Sequence, residues 1–88
     1  MTLLGDRLKE LRANFSLMDI AREVGLSDVQ ILNFEKGTRK PRKETLKKLA
    51  ALYHVSYGEL RKLYYTDLFS EDSEERRIIL EWAKEAQE

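Results

Sequence analysis

Apolar residues recur along the chain at the three- and four-residue spacing of helix faces, and no segment shows the strict alternation of a strand. Leu3, Leu4, Leu8 and Leu11 mark a first amphipathic helix, with Gly5 and Asp6 near its start and Arg12 near its end. Leu17, Ile20, Ala21 and Val24 mark a second, and Gly25 breaks it, with Leu26 placed to fold back onto the core. Ser27 opens a third as its N-cap, and Gln30 completes a capping box. Within that helix Ile31, Phe34 and Glu35 point one way, while Asp28, Val29, Leu32, Asn33 and Lys36 point the other. Gly37 ends it, and Pro41 fixes where the chain turns next. A fourth helix is predicted from about Arg42 to Tyr53, with Leu46, Leu49, Ala50, Leu52 and Tyr53 inward. Ser56 caps a short fifth helix carrying Tyr57, Leu60 and Leu63, which Gly58 weakens in isolation. Tyr64, Tyr65, Leu68 and Phe69 form an aromatic cluster beyond it. Ser70 or Ser73 then caps a sixth helix whose Ile78, Ile79, Trp82, Ala83 and Ala86 share one face.

Charge sharpens this picture. The 88 residues carry no net charge, but residues 1–65 hold 13 Lys or Arg against 8 Asp or Glu (+5), and residues 66–88 hold 3 against 8 (−5). Most of the positive charge follows the third helix, in Lys36, Arg39, Lys40, Arg42, Lys43, Lys47 and Lys48, interrupted only by Glu44. A solvated helix face explains such a run by itself; after a helix with a free outer face, it is also where phosphate contacts are needed. With no Cys and one His, neither a disulfide framework nor a thiolate or multi-histidine metal site is expected. His54 reads as a helix C-terminal cap, not a catalytic base. No phosphate-binding glycine loop, and no set of nucleophile, base and orienting group, points to an enzyme. No cofactor is expected, and the absence of a signal-peptide or membrane-span pattern gives a cytoplasmic protein as the expectation.

The segments IA, EVGLS and EKGTRKP, followed by LKKLAALYHVS, resemble the lambda-repressor-like helix-turn-helix family, also called Cro or XRE-type. The resemblance covers about residues 5–63 and rests on Ala21, Gly25, Ser27, Glu35, Gly37, Pro41, Ala50 and Val55 in order and at family spacing. Beyond its reach the apolar spacing of the acidic segment adds a sixth, amphipathic helix over 66–88. The resemblance itself implies an all-α fold, a compact five-helix DNA-binding domain over residues 1–65 with its motif at about 17–36. It also implies that Arg12 pairs with Glu35 across the core. The chain departs from the family at Leu17, where a DNA-contacting Gln is usual, and in a shortened connection, Ala13 to Ser16, ahead of the motif. It departs again in the apolar and acidic residues Asp28, Val29 and Leu32 on the outer face of the third helix.

The resulting expectation is a sequence-specific transcriptional regulator of double-stranded DNA, with the helix at 27–36 in the major groove. Asn33 is the leading base contact, through an amide that can bond an adenine edge; Gln30 is second, competing with its cap. Val29 and Leu32 can touch only thymine methyls, and Asp28 can accept from cytosine. Phosphates fall to Lys36, Thr38, Arg39, Lys40 and Lys43. The last helix, through Ile78, Ile79 and Trp82, either joins two copies so that their reading helices sit roughly 34 Å apart or packs on its own domain. The competing expectation is a protein-interaction module using Leu17, Met18, Val29 and Leu32 as an exposed apolar patch, unless the short connection partly buries them.

Overall fold

Five of the six helices start at a hydroxyl. Thr2, Ser16, Ser27, Ser56 and Ser73 each accept, at their side-chain oxygen, the backbone N–H three residues on, at 2.9–3.2 Å, and so satisfy an amide that has no partner inside the helix. In this computed structural model, which describes residues 2–69 and 73–87, with side chains through Glu81, the helices are α1 (Leu3–Arg12), α2 (Leu17–Val24), α3 (Asp28–Lys36), α4 (Lys43–Leu52), α5 (Tyr57–Thr66) and α6 (Glu74–Gln87). The all-α expectation holds. The α4 boundaries fall one residue inside the predicted ones, with Arg42 and Tyr53 as the flanking caps. Ser73 caps α6, and Ser70, the other candidate for that cap, lies outside the described residues.

The helix ends follow backbone sterics. Gly25 and Gly37 take left-handed φ angles of 76° and 81°, which close α2 and α3. His54 takes the same conformation after α4, at φ 57°, while Val55 N donates to Ala50 O at 3.0 Å. His54 therefore does the closing that a glycine does at the other two ends.

Leu4 and Leu8 of α1, Ile20, Ala21 and Val24 of α2, Ile31 and Phe34 of α3, Leu46, Leu49 and Ala50 of α4 and Leu60 of α5 form one buried cluster. Leu52 and Tyr53 are only partly buried and pack on its edge. Around that core α1 lies across α3, α2 packs on α3 and α4, and α5 bridges α1 and α4. The α1–α3 crossing is close because position 5 lacks a side chain: a Cβ there would lie 2.5 Å from the Glu35 carbonyl oxygen and 2.8 Å from that of Phe34.

Residues just past 65 are tied into this domain. Asp67 accepts from the Leu3 and Leu4 amides with its two carboxylate oxygens, both at 2.9 Å, and so caps α1 from the far end of the chain. Thr66 is fully buried and its hydroxyl donates to the Lys62 carbonyl at 2.7 Å. Of the expected aromatic cluster, Tyr64 and Tyr65 meet edge to face at 5.6 Å, but Tyr65, Leu68 and Phe69 are exposed and add nothing to the core. α6 lies against α5, the own-domain packing that was one of the two expectations for it. Ile79 is half-buried and Ile78 exposed, while the side chains of Trp82, Ala83 and Ala86, like residues 70–72, lie outside the described residues.

Candidate nucleic-acid interface

The orientation of α3 is set from α1. Arg12 Nε and Nη2 donate to the two carboxylate oxygens of Glu35 at 2.6 and 3.0 Å, and Nη1 donates to the Phe15 carbonyl at 2.8 Å. One guanidinium thus joins α1, the short α1–α2 connection and α3 in the fork geometry that suits arginine. The Glu35 side chain is only 3% exposed, so this is the anticipated ion pair, with an added bond to the connection. The hydrogen bond to Glu35 raises the Arg12 pKa above its ordinary value, against the lowering effect of burial. Ala13 bends the connection through a φ of 49° and ψ of −113°, a positive-φ conformation outside the left-handed helical region and strained for a residue with a Cβ. Tyr53 stands beside the pair, its pKa pushed up to about 12, first by burial and then by the Glu35 charge. Its hydroxyl is buried without a hydrogen-bond partner.

With Ile31, Phe34 and Glu35 buried, the opposite side of α3 faces outward, as its pattern predicts. Asp28, Val29, Gln30 and Lys36 are exposed, and Leu32 and Asn33 are half-buried. The capping box occupies the Gln30 carbonyl oxygen, which accepts from Ser27 N at 2.9 Å and leaves the side-chain NH2 unused by the cap. Asp28 turns onto its own helix end, accepting from Val29 N at 2.9 Å. The hydrogen bonds at Asn33 run through its main-chain carbonyl, which accepts from the amides of Thr38 and Arg39 at 3.1 and 3.3 Å and from the Thr38 hydroxyl at 3.3 Å. That carbonyl organises the loop after α3, and Asn33 is among the residues that line a groove of about 550 Å³. Gln30, Asn33, Arg39, Lys40, Arg42 and Thr45 line it, with Leu26 and Phe34 as its apolar part.

Lys36, Thr38, Arg39, Lys40 and Lys43, the expected phosphate contacts, are all exposed, and Arg39 and Lys40 line the groove. Lys40 also holds its ammonium 5.3 Å from the centroid of the Tyr64 ring on α5. The candidate apolar patch divides: Met18 and Val29 are 63% and 60% exposed, whereas Leu17 and Leu32 are half-buried, Leu17 against the core. Phe15, 62% exposed, adds an apolar ring that the sequence pattern did not single out. Its only local signal is its place just before the Ser16 cap.

The family described as "Helix-turn-helix domain" matches residues 3–63. The transcriptional repressor RstR of the cryptic phage CTXphi of Vibrio cholerae is 33% identical over 60 residues, which make up 66% of this chain and 54% of the repressor. The chain therefore spans about half the length of that relative. No solved structure matches. The match over five of the six helices, together with the capped α2–turn–α3 unit and the Arg12–Glu35 fork, identifies the chain as a member of the lambda-repressor-like, Cro/XRE-type helix-turn-helix family.

Proposed function

We propose that this protein is a sequence-specific DNA-binding transcriptional regulator that lays α3 in the major groove and grips phosphates with the loop behind it. The observation that carries the reading is the groove that Gln30 and Asn33 of α3 line together with Arg39, Lys40 and Arg42. Amides in reach of base edges, flanked by cations, are what a helix reading the major groove requires. Asn33 reads an adenine edge, and Gln30, with only its NH2 uncommitted, donates to a base acceptor. Val29 and Leu32 meet thymine methyls, and Asp28 accepts from a cytosine amine. Lys36, Thr38, Arg39, Lys40 and Lys43 take phosphates. The name of the phage repressor relative supports the regulatory role. Two copies joined through α6, with Ile78, Ile79 and Trp82 in the seam, give the assembly its two-fold symmetry.

The test is selection of bound duplexes from a random pool, followed by binding of the selected site and of random DNA with Asn33→Ala. The variant is expected to lose roughly 1–3 kcal/mol on the selected site and little on random DNA. Equal losses on both reduce Asn33 to a positioning residue, and a pool that yields no preferred sequence removes the claim of sequence reading.

A second reading, docking of a partner protein, is favoured by the exposure of Met18, Val29 and Phe15. Salt separates the two: phosphate-anchored binding weakens steeply as salt rises, whereas apolar docking holds.

A further inference from the structure

Behind the loop, on the side formed by α4 and α5, three cations and three tyrosine rings make a row. The Lys40 ammonium lies 5.3 Å from the Tyr64 centroid, and the Arg61 guanidinium lies 5.6 Å from the same ring. Arg61 is also 5.8 Å from the Tyr57 centroid, which it shares with the Lys47 ammonium at 5.5 Å, and 4.7 Å from that of Tyr65. Its Nη2 donates to the Tyr65 hydroxyl at 2.6 Å. Neighbouring cations thus share a ring, and the order Lys40, Arg61, Lys47 runs from the edge of the α3 groove across α5 to α4. Among the described residues none of the three pairs with a carboxylate. The rings hold the cations by their negative faces without neutralising them, so three positive charges stay fixed near one another.

We propose that this row is a second phosphate-binding surface that extends the grip of the α3–α4 loop along the DNA backbone, with Lys47 and Arg61 touching phosphates and Lys40 as the link. The inference rests on the DNA reading given above. A polyanion is the ligand such a row fits, because anions set beside it offset the mutual repulsion of cations that the fold holds close. Duplex phosphates are favoured over stacked single-stranded bases, since each ring already holds at least one cation against it and Tyr57 and Tyr64 are half-buried. They are favoured over an acidic protein because Lys40 belongs at once to this row and to the groove beside Asn33.

The experiment compares the full chain with Lys47→Gln/Arg61→Gln, with Arg61→Lys and with Arg39→Ala, on the selected duplex and on random duplex from 50 to 200 mM salt. Helical circular dichroism and melting temperature report folding for each. The double variant removes two phosphate-neutralising cations. It is expected to lower the salt slope by roughly 1.8, so that its affinity falls about tenfold less than wild type over that salt range, equally on both DNAs. Arg61→Lys, which keeps the charge, is expected to retain the wild-type slope. A folded double variant that binds with wild-type affinity and slope overturns the row as a phosphate surface, and if Arg39→Ala still weakens binding the DNA reading survives. Loss of binding in the double variant with no change in slope also overturns it, as does stronger binding of single-stranded DNA than of duplex. If wild type binds no duplex at any salt, the DNA reading fails and the row falls with it.

Discussion

At the scale of single residues, two buried oxygen-bearing side chains at the α1–α3 ion pair behave oppositely. Glu35 is charged and answered by two Arg12 donors, whereas the Tyr53 hydroxyl beside it is answered by nothing. An unanswered buried hydroxyl costs folding free energy, so Tyr53→Phe is expected to be neutral or stabilising by about 1 kcal/mol at pH 7. The pH dependence has a definite sign. The folded protein holds the Tyr53 proton more tightly than the unfolded chain, with a pKa raised from 10.0 to about 12. The native preference for neutral Tyr53 is therefore fully present below about pH 10 and is lost as pH rises through about 12. Urea unfolding from pH 7 to 12 should show wild type losing stability relative to Tyr53→Phe within that window. A constant difference across it would mean that Tyr53 is solvated in the native protein.

At the scale of helices, two glycines make a matched experiment. Gly5 lies where α1 crosses α3, and a methyl group there would push into the Glu35 and Phe34 carbonyls. Gly5→Ala should cost about 1–3 kcal/mol through overpacking. Because α3 carries the reading face, it should also weaken DNA binding. Gly58 sits in the first turn of α5 with the nearest atom, Ser56 Oγ, 4.0 Å from a built Cβ. Gly58→Ala should stabilise by roughly 0.5–1 kcal/mol through backbone entropy alone. Thermal melts of the two variants should move in opposite directions, and a stabilising Gly5→Ala would mean that the α1–α3 contact yields easily. The close crossing is invisible in the sequence, since a glycine in the first turn of a helix carries no sign of which helix it will meet.

At the scale of the whole molecule, α5 and α6 leave Tyr65, Leu68, Phe69, Ile78 and Leu80 more than a third exposed on a chain with no net charge. That combination favours self-association. A dimer is expected in sedimentation at micromolar concentration. Ile78→Glu, at an exposed position whose change leaves the core intact, should return a folded monomer that binds a palindromic site more weakly. Wild type that stays monomeric at high concentration would leave α6 as a helix that serves its own domain alone.

What the chain announced by itself depends on near neighbours. The caps at Ser27 and Ser56, the Ser27–Gln30 box and the left-handed closures at Gly25 and Gly37 each act within three or four residues, so their spacing is their mechanism. The caps at Thr2 and Ser16 act over the same range, but the apolar pattern did not single them out. The inward and outward faces of α3 followed from periodicity for the same reason. The Arg12–Glu35 fork spans 23 positions and was readable only through resemblance to a family. The tertiary structure alone decided where distant residues meet. Asp67 caps α1 from more than sixty positions away, inside a segment whose composition reads only as acidic. Arg61 meets its three tyrosine rings within α5 itself, four residues back and three and four on, but only packing brings Lys40 of the loop and Lys47 of α4 to two of those rings. The apolar patch around α2 split into exposed and half-buried members because packing turns Leu17 against the core while Met18 and Val29 stay outside it. Local rules fix where helices begin and end, but which surfaces they share depends on how they pack, and packing is a property of the assembled core.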